Sequence, residues 1–176
     1  MAHLLLVGIY TDSGQLSYPC TTSNTAQVVS KLVSIYGKSI DTAISPIYRD
    51  KSIEDFNLTK LTYEKINLLC ENQLSVVVLD NNDFKKVGSN FEQTHGLVDI
   101  ALQISSVKVS IVASQDETQE DSYYVSIRSK GNVSARAIGE KFGGGGHFNA
   151  AGCKIFDTKQ NVYKSLVDVA TEVINA

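Results

Sequence analysis

Hydrophobic and polar positions follow two different rhythms along this chain. In the second half, YYVSIRS alternates strictly, which puts Tyr124, Ser126 and Arg128 on one face of an extended segment and Tyr123, Val125 and Ile127 on the other. LSVVVLD, from Leu74, is a largely apolar run of strand length, and VKVSIVAS and the shorter CKIF also read as strands. The acidic QDETQED between VKVSIVAS and DSYYVSIRS marks a hairpin with a solvated tip. NNDFKKVG and GLVDIALQI read as short helices, the second with Leu97, Val98, Ala101 and Leu102 on one face. An amphipathic helix over NVYKSLVDVATEVI closes the chain.

The first half has the helical rhythm. Val28, Val29, Leu32, Val33 and Tyr36 recur at helical spacing behind a hydroxyl-rich entry, with Thr22 or Ser23 as N-cap and Gly37 as stop. SIDTAISPIYRD is a second helical piece, expected to kink or begin anew at Pro46. Ala2 to Tyr10 is apolar and ends in TDSG; periodicity leaves strand and buried helix both open there. A loop with Pro19 separates it from the next helix. Ser52 to Gln73 reads as an extended polar stretch followed by a helix over TYEKINLLCEN, a connector between domains.

The chemistry centres on GGGGHFNAAG, Gly143 to Gly152. Each glycine in a regular element gives up roughly 0.5–1 kcal/mol against alanine. The run follows a helix-like SARAIGEKF and precedes a strand, so it reads as a structured loop rather than a linker. A use consistent with that loss is close approach of backbone to a ligand, with successive N–H groups facing an anion and the titratable His147 at the end. Arg128, taken alone, is a surface arginine, yet its guanidinium can grip phosphate with two parallel hydrogen bonds. Asp12, taken alone, is a capping or solvated carboxylate after an apolar element.

GGGGHFNAAG preceded by YYVSIRSKGNVSARAIGEKF resembles the signature of the DHH-associated domain, the C-terminal half of the DHH phosphoesterases. LLLVGIYTDSGQLSYPCTTSNTAQVVSKL resembles the last motif of the preceding DHH domain, in the branch of oligoribonucleases and phosphoadenosine-phosphate phosphatases. The resemblance implies an α/β fold in three parts. These are a mainly helical remnant of a DHH domain over 1–51, a connector over 52–73 that includes a linker helix, and a mixed-sheet DHH-associated domain over 74–176, with four or five strands. It implies that Asp12 is a ligand of Mn2+ or Mg2+ in the intact protein, and that Arg128, Gly144, Gly145, Gly146 and His147 bind substrate. The implied substrate is short RNA or an adenine nucleotide phosphate such as 3′-phosphoadenosine 5′-phosphate. A cyclic-dinucleotide phosphodiesterase and a stand-alone nucleotide- or RNA-binding module are the alternatives.

The family's other metal ligands, from a D-x-D element, a lone aspartate and the DHH triplet, do not occur in this sequence. The expectation is therefore the C-terminal part of a longer manganese-dependent hydrolase, inactive by itself. The missing half, or a second copy of the chain, would be its protein partner. Composition adds little to this. A net charge of −3 gives no general attraction for long nucleic acid, so any nucleotide must be held at a local site. Three dispersed cysteines and the lack of a spanning apolar run lead to the expectation of a reduced, cytoplasmic protein that does not enter membranes.

Overall fold

A run such as Leu74–Leu79, apolar on both faces, is stable only when both faces are covered, and it becomes the parallel heart of a mixed sheet. The computed structural model describes residues 1–18 and 20–176; Pro19 lies outside the described residues. The chain divides into two units, Met1–Ser52 and Ile53–Ala176.

The first unit is helical. α1 spans Ala2–Asp12, α2 Ser23–Tyr36 and α3 Asp41–Tyr48, which settles the open N-terminal element as a helix. Thr22 caps α2, its hydroxyl accepting from the Thr25 N–H while the Thr25 hydroxyl accepts from the Thr22 N–H. Gly37 ends α2 in the left-handed conformation at φ 68°. α3 runs through Pro46 as one element rather than restarting there, and stops two residues later. Leu6, Val29, Ala43 and Ile44 are the buried apolar residues of this unit among the described residues.

The second unit holds a six-stranded sheet in the order β1-β2-β3-β4-β6-β5. α4 spans Ile53–Lys65, β1 Leu68–Leu69, β2 Leu74–Leu79, α5 Asn81–Val87, β3 Val109–Gln115, β4 Ser122–Ser129, α6 Ala135–Lys141, β5 Gly145–His147, β6 Ala150–Phe156 and α7 Lys159–Asn175. β2 and β3 are parallel, and the other neighbours are antiparallel. One face, with Val76, Ile111, Val125, Ile127 and Ala151, packs on Ile138 of α6 and on Val162, Leu166 and Ala170 of α7. The other face is covered chiefly over β2 and β3. There Val77, Leu79 and Val112 meet Leu58 of α4, Phe84 of α5, and Leu97, Val98 and Ile100.

Three local expectations change. The helix placed over TYEKINLLCEN lies upstream, because α4 starts at Ile53 with Leu58, Leu61 and Thr62 buried. The chain then reverses from β1 into β2 through Cys70, Glu71 and Asn72, all left-handed at φ 50°, 55° and 66°. No glycine or proline marks that turn, so the apolar residues around it look helical in the sequence. GLVDIALQI forms two short 3-10 turns, Leu97–Asp99 and Ala101–Gln103, rather than an α-helix. Within the glycine stretch, Gly145–His147 pairs as an edge strand, and β6 begins at Ala150 instead of Cys153. Among the described residues no helix is long and apolar enough to cross a membrane.

Candidate functional site

Residues paired across neighbouring strands point to the same side of a sheet. The register therefore builds the site directly. One row runs Ser75, Ser110, Arg128, Ala150, His147 across β2, β3, β4, β6 and β5. Arg128 and His147 thus share a face, two strand spacings or about 10 Å apart. The next row on that face ends in Ser126, Gly152 and Gly145, and the one after it in Tyr124 and Lys154. The α4 and α5 layer stops at β3, so this half of the face is left open. Ser126 and His147 are exposed; Arg128, Ala150, Gly145, Gly152 and Lys154 are half-buried. The outcome is a trough with a floor of minimal side chains, Arg128 and His147 at one end and Tyr124 and Lys154 at the other.

The glycine run has two separable duties. Gly143 is left-handed at φ 71° and terminates α6, while the Gly144 N–H donates to the Gly139 carbonyl. Gly144 then passes so close to β6 that a Cβ would sit 2.2 Å from the Gly152 oxygen and 2.5 Å from the Cys153 Cβ. Gly146, at φ 147°, would place a Cβ 2.4 Å from the Ala150 oxygen. These two glycines are required by the approach of backbone to backbone. Gly145 has nothing within 4 Å of such a Cβ, and its register puts that open space on the trough floor. Its absent side chain keeps the floor flat.

Arg128 is oriented from both sides. Its Nε lies 3.8 Å from Asp99 Oδ1, at the end of a 3-10 turn, and its Nη1 donates to the Ile127 carbonyl at 3.1 Å. Nη2 is engaged by neither contact. Burial raises the Asp99 carboxyl above the ordinary aspartate range, against the opposing pull of Arg128 and His95. Asp99 and His95 were not singled out by sequence reasoning. No motif marks Asp99, and only the 3-10 turn carries it to the sheet.

The opposite end is held by a second network. Asp116 Oδ1 accepts from the Thr118 N–H at 2.9 Å and its hydroxyl at 2.7 Å, and Oδ2 from Lys154 Nζ at 2.9 Å. Hydrogen bonds from Thr118 and then Lys154 hold this carboxyl well below the usual range. The acidic hairpin is solvated from Glu117 to Asp121, but Asp116 itself is nearly buried. Lys154 also donates to Tyr124 Oη at 3.1 Å, and its Asp116 bond holds its own pKa up. Behind the floor, burial pushes the Cys153 thiol up to about 11.

Asp12 ends α1 in the first unit and is exposed; the neighbouring Ser13 is buried, its hydroxyl donating to the Ile9 carbonyl and accepting from the Leu16 N–H. Among the described residues no three His, Cys, Asp or Glu side chains lie together in a way that could hold a metal ion. The donor set therefore does not fit a dinuclear centre, which needs several carboxylate or imidazole ligands. No chemical step follows from Asp12 alone.

Residues 73–176 match the DHHA1 domain family. The chain is 27% identical over 158 residues to the bifunctional oligoribonuclease and PAP phosphatase NrnA of Bacillus subtilis, covering 88% of this chain and 47% of that protein. It is 28% identical over 170 residues to the probable bifunctional oligoribonuclease and PAP phosphatase NrnA of Streptococcus mutans, covering 94% and 52%. The chain thus spans about half the length of the curated relatives it matches. An exopolyphosphatase-related protein from Bacteroides fragilis shares the fold, with a TM-score of 0.88 at 22% identity over 97% of this chain and 49% of that one.

Proposed function

The chain belongs to the DHHA1 domain family, and from that premise we propose that it is the substrate-binding portion of a metal-dependent DHH phosphoesterase acting on short oligoribonucleotides or 3′-phosphoadenosine 5′-phosphate. The observation that carries this reading is the row that sets Arg128 and His147 on one open face, on either side of Ala150. Arg128 offers Nη2 to a terminal phosphate, and His147 offers a ring donor from the facing strand. Ser126, Gly152 and Gly145 let a ribose or base lie against the sheet between them. Relatives named as oligoribonuclease and PAP phosphatase are consistent with both substrate classes.

In the intact enzyme, manganese or magnesium would supply an activated water and Asp12 would be one ligand. With Asp12 as its one such ligand, the 176-residue chain binds without hydrolysing. Calorimetric titration with 3′-phosphoadenosine 5′-phosphate and with a short 5′-phosphorylated RNA, with and without manganese, tests this. A charge-assisted hydrogen bond is worth roughly 1.5–3 kcal/mol, so Arg128→Ala is expected to weaken binding by about ten- to a hundredfold. Undiminished binding by Arg128→Ala and His147→Ala would remove the assignment of these residues. Enzyme-like, manganese-dependent hydrolysis by the chain would remove the claim of inactivity.

A further inference from the structure

The end of the trough remote from Arg128 is aromatic, and the phosphate-binding reading leaves it unused. Tyr124 lies on the open face with 43% of its surface exposed, and Phe156, on the same face of β6, is 63% exposed. Phe91 meets the Tyr124 ring at 5.0 Å between centroids, tilted by 48°. Lys154 Nζ stands 4.3 Å from the Tyr124 centroid and 5.4 Å from that of Phe156. Phe91 is itself anchored, its N–H donating to Glu117 Oε1 at 2.8 Å. The tyrosine is thus fixed by a side wall and by a lysine that Asp116 holds in place. An exposed aromatic held this rigidly loses little conformational entropy when a flat ligand covers it.

We propose that Tyr124, walled by Phe91, is a nucleobase subsite that stacks the second base of a 5′-phosphorylated dinucleotide whose terminal phosphate sits on Arg128 and His147. This rests on the phosphate site described above. Tyr124 and Arg128 are four residues apart on β4, which is about 13 Å along the strand. That span is too long for a lone phosphate and suits a base separated from its terminal phosphate by one further nucleotide. The intervening row of Ser126, Gly152 and Gly145 presents backbone rather than side chains, so a sugar-phosphate linker can cross it. The charge pattern agrees: Arg128 at one end and Lys154 at the other face a ligand that carries a terminal and a bridging phosphate along its length. Because stacking reads the π-face and not the base edge, the subsite favours dinucleotides over a single mononucleotide without choosing a sequence.

The test uses the full chain and a 5′-phosphorylated dinucleotide carrying 2-aminopurine as its second base, read by fluorescence and by calorimetry. Stacking is expected to quench the 2-aminopurine on binding. Tyr124→Ala should remove the quench and weaken binding by roughly tenfold or more, whereas Tyr124→Phe, which keeps the ring, should retain both. A matching ligand that lacks the second base should bind the unaltered chain and Tyr124→Ala alike. Binding and quenching by Tyr124→Ala equal to those of the unaltered chain, while Arg128→Ala loses the ligand, would overturn the base subsite and leave the phosphate site standing. No binding to the unaltered chain would overturn the phosphate site, and the subsite with it.

Discussion

Gly144 and Gly145 are adjacent and chemically identical, yet the structure gives them opposite tasks, and alanine at each position separates the two. A Cβ on Gly144 would lie 2.2 Å from the Gly152 oxygen, 2.5 Å from the Cys153 Cβ and 2.8 Å from the Cys153 Cα. Ordinary contacts begin near 3.4 Å, so the overlap exceeds an ångström, and two of the three atoms are backbone that cannot rotate away. Relief requires the end of α6 to lift from β6. Overpacking of this kind costs about 1–3 kcal/mol, and because backbone must move, the upper half of that range applies, about 2–3 kcal/mol. For a chain of this size that lowers Tm by roughly 4–12 °C. Gly145→Ala meets nothing within 4 Å and does not sit at positive φ. It should leave stability within about 0.5 kcal/mol, or raise it slightly by restricting the unfolded chain. Its methyl group, however, rises from the trough floor between Arg128 and Tyr124. Thermal unfolding of both variants beside titration with a 5′-phosphorylated dinucleotide is the assay. The expected pattern is a lower Tm for Gly144→Ala, and an unchanged Tm with weakened binding for Gly145→Ala. Equal Tm values for Gly144→Ala and the unaltered chain would refute the close-approach argument. A large loss of stability in Gly145→Ala would refute the division of labour.

Two further outcomes are expected. Asp99→Asn removes a negative charge beside the proposed phosphate site; for charges about 6 Å apart in water-like surroundings the repulsion is roughly 0.7 kcal/mol, so phosphate-ligand affinity should rise about threefold, and a calorimetric affinity that falls instead would mean that Asp99 serves mainly to position Arg128. Asp116 has a depressed pKa in the folded chain, so its contribution to stability is complete above the ordinary aspartate value near ~4 and is lost as pH falls through the lower folded value. The gap in urea midpoint between the unaltered chain and Asp116→Asn, measured from pH 7 down to pH 2.5, should therefore hold steady to about pH 4 and narrow below it, and a gap that stays constant over the whole range would show that the Thr118 and Lys154 bonds do not favour the ionised form.

The residues that place this chain in its family were legible because their pattern is local. Alternation in YYVSIRS set Arg128 opposite Ile127, the apolar run from Leu74 fixed the first long strand, and a glycine run ending in His147 pointed to the candidate site. Whether those glycines served a ligand or the fold was not a local question. Gly144 and Gly146 are explained by contacts with residues four to nine positions later, across a hairpin that exists only once β5 and β6 pair. Likewise, nothing in the spacing of Arg128 and His147 says they are neighbours; the order β4-β6-β5 and its register bring them onto one face. Asp99 reaches Arg128 through a 3-10 turn that reads as an ordinary helix, and Lys154 and Asp116 meet across strands far apart in the chain. The turn at Cys70, Glu71 and Asn72 was hidden for the opposite reason, since left-handed backbone without glycine leaves no mark in composition. Local sequence determined most of the strands and helices and which residues are candidates for the chemistry, because periodicity and backbone permissiveness are properties of a few consecutive residues. Tertiary structure decided which of those residues share a surface, because strand register and the point at which the covering helices stop are settled only by long-range packing.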